Sequence, residues 1–297
     1  MDRTHKDGPA ALLPATRWML VVFTALTLLG FLALFPAPDR TDETFAWTIA
    51  PPATAAFLGV GFLSGAVLDV LVLRRGRWGD ARVPLATILV FTVITLVATL
   101  VHLDRFHLAA PGGLARFAAW LWLVVYVVVP VGMAAVMVAE ARRTRRAEVP
   151  PARGPAGWPL PGWLRATLPA EGLVIGVVGA LLFVAPANAE RLWPWPLTPL
   201  TARAVAAWLL AYALATALVT AENDLRRLRT NAVAYTVFGG GQLVVALRFA
   251  GDVDWARPAG TGFLAAAAAV ALTGAAGFLL ARSAAREPAG QRRRRRA

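Results

Sequence analysis

The densest set of groups able to do chemistry is His102-Leu103-Asp104-Arg105-Phe106-His107. Two imidazoles and a carboxylate this close can bind Zn²⁺ or Cu²⁺. The spacing follows no established ligand motif, and pairing of His102 and Asp104 with Arg105 is the plainer alternative. The chain has 3 His and no Cys, which excludes disulfides, thiolate metal sites and a cysteine nucleophile. It contains no G-x-x-x-x-G-K-[ST], G-x-S-x-G, H-E-x-x-H or G-x-G-x-x-G motif. No nucleophile–base constellation emerges, so no enzyme activity and no cofactor are expected.

A second set of polar residues recurs at helical spacing. Thr92, Thr95, Thr99 and His102 fall within about 80° of one helix face at 100° per residue. Asn231, Tyr235, Gly239 and Gln242 share a face of another helix, which also carries Gly239-Gly240-Gly241. Two readings stand for this pair of faces. They line one central path, with the glycine run bending the later helix, or they are packing surfaces, with Thr bonding its own helix and small residues joining helices.

The elements that position these groups follow from composition. Of 297 residues, 58% are hydrophobic and 16% charged, with mean hydropathy +0.60. Soluble domains carry about 25% charged residues, so the chain reads as a membrane protein whose first partner is the lipid bilayer. The formal charge of +13 would suit nucleic acid only on a charged soluble surface, so no nucleic-acid partner is expected. Eight apolar spans run near 17–35, 52–73, 83–102, 117–140, 171–186, 202–221, 231–249 and 262–281. Each approaches the roughly 20 residues needed to cross about 30 Å of hydrocarbon. No segment alternates with the period of two that a barrel requires. The first span, although Arg3, Lys6 and Arg17 precede it, is read as an uncleaved helix because its apolar run is long and seven spans follow.

Basic residues set the orientation. With the N-terminus inside, the cytoplasmic segments carry Arg3, Lys6 and Arg17, then Arg74, Arg75, Arg77 and Arg82, then a run from Arg142 to Arg165, then Arg226, Arg227 and Arg229, then Arg282 to Arg296. Only Arg40, Arg105, Arg116, Arg191, Arg203, Arg248 and Arg257 of the 30 Lys and Arg fall on the other side. Both termini are therefore expected in the cytoplasm and the protein in the plasma membrane. The Arg-rich segments and the tail 286–297, with Arg292 to Arg296, would attract anionic lipid by about 1 kcal/mol per base.

Segment 142–169, with Pro150, Pro151, Pro155, Pro159, Pro161 and Pro169, reads as a linker. It falls at the midpoint, and an internal repeat appears at an offset of 148. Phe35, Ala37, Pro38, Trp47, Pro51 and Ala56 fall on Phe183, Ala185, Pro186, Trp195, Pro199 and Ala204. The expected fold is all-α transmembrane: an eight-helix bundle of two tandem four-helix repeats, 1–148 and 149–297, in parallel orientation. Such repeats are related by an axis along the membrane normal.

The matched outer loops read FAWTIAPPATAAFLG (45–59) and WPLTPLTAR (195–203). Here the chain resembles a group of actinobacterial-type multi-pass integral membrane proteins with FAWxIxPPxTAAFLG and WPLTPLTAR-like loops. The Arg-for-Lys bias and Ala richness suit a high-GC genome. The resemblance spans both loops and the helix starts after them, and implies a shared multi-pass fold with no activity attached. Read physically, Trp47, Pro51, Trp195 and Pro199 anchor the loops at the interface and start the next helices. The alternative is that the loops face each other as an outer vestibule, with Asp39, Asp42, Glu43 and Glu190 favouring cations.

Remaining signals are weaker. Asp69 lies about one turn from the cytoplasmic end of its span, near Arg74 and Arg75, and reads as an interfacial ion pair, Arg248 as paired with Asp252 or snorkelled, and Pro130 with Gly132 as a kink. Three functions follow: a small-solute permease-like module; a non-catalytic scaffold or accessory subunit docking an unknown membrane protein on the Gly172, Gly176, Gly179 stripe; or an embedded enzyme with an outer His102–Asp104–His107 metal site.

Overall fold

The computed structural model describes residues 11–111, 113–146 and 158–286. Lys6, Arg153, Pro150, Pro151, Pro155 and the tail Arg292 to Arg296 lie outside the described residues. Eight long helices make up the described chain: α1 Pro14–Leu34, α2 Pro52–Arg75, α3 Trp78–Val101, α4 Gly113–Arg146, α5 Gly162–Val184, α6 Pro199–Glu222, α7 Leu225–Arg248 and α8 Pro258–Arg286. All eight are long and apolar enough to cross a membrane, so the chain is a multi-pass membrane protein. No strand occurs among the described residues, and the spans are helices, the form that pairs most backbone groups internally as hydrocarbon demands.

Local chemistry sets the helix ends. Pro at the first turn opens α1, α2 and α6. The Thr198 hydroxyl caps α6 by accepting from Thr201 N, and the Asp224 carboxylate caps α7 by accepting from Arg226 N. Helices α2 and α6 end on left-handed residues, Gly76 (φ 61°) and Asn223 (φ 47°), the two types that reach that region most cheaply.

One boundary departs from the sequence reading. The linker was expected to run to Pro169 and the fifth span to begin at Glu171, but α5 begins at Gly162 and carries Pro169 within it. Proline removes one donor and crowds the preceding turn, and the packing of Leu164 and Leu168, both fully buried, holds the helix through it. Glu171 thereby lies inside a membrane span rather than at its edge.

Four helices form the centre. Across the midpoint, α2 packs on α7 and α3 on α6; α1 flanks α2, α5 flanks α6, α4 flanks α3, and α8 flanks α7. The most apolar stretch of α2 is 67% buried, that of α4 only 17%. The outer helices accordingly expose Val22, Leu29, Leu32, Phe117, Val128, Val131, Leu173 and Leu272, a rim that suits lipid and not water.

Glycines permit the closest approaches. A Cβ on Gly239 would lie 2.5 Å from Ala267 O, and one on Gly241 2.5 Å from Val60 Cγ1. The Gly239–Gly241 run therefore packs α7 against α8 and α2, and α7 continues unbroken through it. The Gly172, Gly176, Gly179 stripe, expected free for a partner, is covered by α6: added methyls would meet Thr216, Ala213 and Leu209.

One end of the bundle carries the clustered arginines, called here the basic end. The other, with the Trp-containing loops, is the aromatic end. At the basic end, Glu140 of α4 is fully buried and accepts from Leu13 N at 2.7 Å and Thr16 Oγ1 at 2.9 Å, with Arg143 3.3 Å away. It holds the start of α1, where unpaired backbone donors favour a negative charge. Arg82 of α3 pairs with Glu222 of α6, which also lies 3.5 Å from Arg227 of α7.

Candidate functional site

At the aromatic end the three metal candidates part company. His102 Nε2 accepts from Arg203 at 2.6 Å. Asp104 pairs with Arg105 at 3.0 Å. His107 bonds Phe45 O through Nδ1 at 3.0 Å and Thr48 Oγ1 through Nε2 at 3.1 Å. No group of three His, Asp or Glu able to hold a metal occurs among the described residues. Partial burial, and then the Arg203 charge, hold the His102 pKa below its usual value, so its neutral form accepts the bond.

The loops turn inward. Trp47 and Trp195 are each 2% exposed, so they are core residues and neither membrane-interface anchors nor the walls of an open vestibule. Trp195 Nε1 donates to Thr54 Oγ1 at 2.9 Å, tying the second loop to α2. Trp47 Nε1 is buried without a partner. Trp47 packs instead with Phe45, Phe106 and Trp122, ring centroids 4.9–5.2 Å apart. Pro199 opens α6, as the loop pattern led one to expect, but α2 opens on Pro52, with Pro51 as its cap residue.

The two polar faces do not meet in one path. Thr92, Thr95 and Thr99 are buried and donate to Leu89 O, Phe91 O and Thr95 O of their own helix; Thr99 also accepts from Trp122. That face is a packing surface. On α7 the outcome differs. Asn231 and Tyr235 line a central cavity of about 80 Å³, together with Thr27, Ser64, Thr87 and Tyr212 from α1, α2, α3 and α6. The Tyr235 hydroxyl is buried without a partner. Gln242 lies farther out, donating to Phe57 O at 3.2 Å, and its Oε1 is unpartnered. It borders a separate space of about 200 Å³.

Glu171 is the residue that sequence reasoning missed. Its carboxylate accepts from Tyr212 Oη at 2.9 Å and Thr273 Oγ1 at 2.6 Å. The Tyr212 ring meets Tyr235 edge-on at 4.9 Å, so the carboxylate adjoins the central cavity through Tyr212. Lying nine residues past Gly162, it is about 13 Å along α5, inside the span and away from its end. The signal available in the sequence was an acid followed by an uninterrupted apolar run.

Two other charges differ from expectation. Asp69 is wholly buried and neither oxygen has a partner, so it forms no ion pair with Arg74 or Arg75. Arg248 donates to Phe35 O at 2.7 Å and Pro36 O at 3.1 Å across the midpoint, while Asp252 accepts from Ala53 N. Backbone carbonyls at a helix end out-compete the carboxylate here because they converge on one guanidinium fork. Set against known proteins, the chain matches no family model, no curated protein and no solved structure.

Proposed function

We propose that the chain is a plasma-membrane, permease-like module for a small solute. It is built from two tandem four-helix units, 1–148 and 149–297, in parallel orientation with both termini cytoplasmic. The observation that carries this is the central cavity, walled by α1, α2 and α3 of one half and α6 and α7 of the other. Its wall is largely apolar, and Thr27 and Thr87 bond their own helices, so the reading rests on Asn231 and on Tyr235, whose hydroxyl is buried without a partner; such a polar group within a bilayer is costly and marks a functional candidate.

Several features support the duplication. Exchanging the halves turns the α2–α7 packing into α6–α3, and α1–α2 into α5–α6. His107 N donates to Ala46 O, and Asp254 N donates to Pro194 O in the same place. Bounds of α2 and α3 recur in α6 and α7 at an offset of 147, one less than the loops before them, because the first loop has one more residue between its Trp and its helix. Pro52, and not Pro51, is then the mate of Pro199.

Placing the basic end in the cytoplasm follows from its arginines, which would also hold anionic lipid there. The loop resemblance to actinobacterial-type membrane proteins belongs to the same reading. An accessory role would need a docking face for a membrane partner, and the glycine stripe expected to supply it is occupied by α6.

The absence of Cys makes the test direct. Asn231→Cys and Ser64→Cys, in sealed vesicles of known orientation, should react with a membrane-impermeant thiol reagent from the cytoplasmic side. No reaction from either side would overturn the permease reading. Reaction from the opposite side would reverse the orientation.

A further inference from the structure

The geometry points to a second site, built mainly by the second half and closed by Phe57 of α2, that takes a small lipophilic organic cation out of the bilayer. Beside α7, a space of about 200 Å³ is walled by Phe57, Trp193, Phe238 and Phe263, with Val174 on the α5 side and Val270 on the α8 side. It is larger than cavities known to hold benzene, and its aromatic walls suit an apolar or cationic body. Val174 borders the space and is also 63% exposed on the lipid-facing surface, which places an entrance between α5 and α8.

Glu171 supplies the counter-charge. On each of three helices, a residue of the carboxylate cluster lies one turn from a residue of the cavity wall. Glu171 precedes Val174 and Ile175, Leu209 precedes Tyr212, and Val270 precedes Thr273. Positions three or four apart share a helix face, so the carboxylate sits at the basic-end margin of the space. Its bonded partners are the Tyr212 and Thr273 hydroxyls, and among the described residues it forms no ion pair with Lys or Arg. The two hydroxyls leave part of the carboxylate's acceptor capacity unfilled, open to a cation, which a quaternary ammonium would meet by charge and not by hydrogen bonding. Gln242 Oε1 and Trp193 Nε1, both unpartnered, belong to the same wall and can meet a polar substituent on the apolar body. A neutral hydrocarbon would fill the space and leave the carboxylate unused. An inorganic cation would use the carboxylate and leave the aromatic walls idle. The lipophilic cation uses both. This site shares Phe238 with the central cavity but has its own border with lipid at Val174, and it does not rest on permeation.

The test uses the whole chain in lipid nanodiscs. The probes are benzyltrimethylammonium and its neutral isostere neopentylbenzene, titrated by saturation-transfer NMR against empty nanodiscs. The cation is expected to bind saturably. Glu171→Gln should weaken it about tenfold or more, with neopentylbenzene unchanged, and Val270→Phe, which fills the space, should remove both. Cation affinity unaltered by Glu171→Gln, or surviving Val270→Phe, would overturn the site, as would no saturable binding to the wild type. If Glu171→Gln fails to assemble, Thr273→Val with Tyr212→Phe takes its place, and an unaltered cation affinity overturns the site equally. Cation binding with Asn231 inaccessible to thiol reagent leaves this site standing and removes permeation. The converse result removes this site alone.

Discussion

Each half of the chain holds a glutamate within a long helix, one fully buried and one partly buried, and the two are held in opposite ways. Glu140, at the basic end of the first half, has a backbone donor, a hydroxyl and Arg143 around it. Its charge is neutralised locally and its role is to hold the start of α1. Glu171, deep in the second half, has hydroxyls alone. The aromatic ends differ in the same sense. In the first half Trp122 fills the space among Phe45, Trp47, Phe62 and Tyr126, at centroid separations of 4.3–6.3 Å. In the second half Trp193 and Phe263, with Phe57 reaching across from α2, border an open volume. The comparison teaches that two halves with matching helix pairing can be packed differently, one filled at its aromatic end and the other left open.

That contrast can be broken by measuring unfolding of variants in detergent. The largest effect is expected for Trp122→Ala, which removes the filler of the first half and should cost about 4 kcal/mol. Val270→Phe, which adds volume to the second half, should change stability by less than about 1 kcal/mol. Similar losses from both would mean the halves are equally packed. Next comes Glu140→Ala, which strands the Leu13 amide and Arg143 and should cost about 3 kcal/mol. Glu171→Gln keeps an acceptor for its hydroxyls and should cost about 1 kcal/mol or less. Equal costs would erase the distinction between the two carboxylates.

A finer comparison concerns the matched tryptophans. Trp195→Phe loses the bond to Thr54 and should cost about 1 kcal/mol, whereas Trp47→Phe removes a buried donor that has no partner and should be neutral or stabilising. The smallest effect is the pH response of His102. Its folded pKa is lowered, so the unfolded chain binds the proton more readily and stability falls as pH drops below the ordinary histidine value of about 6.5. Thermal unfolding at pH 7.5 and 5.5 should show this loss, and His102→Gln should flatten it.

Much of this frame is legible in the chain itself. Spans of membrane length depend on composition alone, so all eight were visible. The start of α5 was not, because Pro169 and Glu171 each signal a break by local rules, and tertiary packing of Leu164 and Leu168 overrides both. The Thr92–Thr99 face was visible as a stripe, but spacing does not tell whether a hydroxyl points to a path or back to its own carbonyl. Trp47 and Trp195 were read as interfacial because that preference is local, while their burial comes from contacts with residues far away in sequence. Glu171 stayed hidden for a related reason: its partners are on α6 and α8, and no periodicity within α5 announces them.

The cross-midpoint pairing of α2 with α7 and α3 with α6 has a consequence for synthesis. The proper neighbours of α2 and α3 are translated roughly 150 residues later, on the order of ten seconds at ribosomal speed. Through that interval Ser64 and the Arg82 side chain lack the Ala234 and Glu222 partners they have in the folded bundle, and lipid is a poor substitute. The centre of the bundle therefore closes only once the second half has been made, so its assembly is ordered in time.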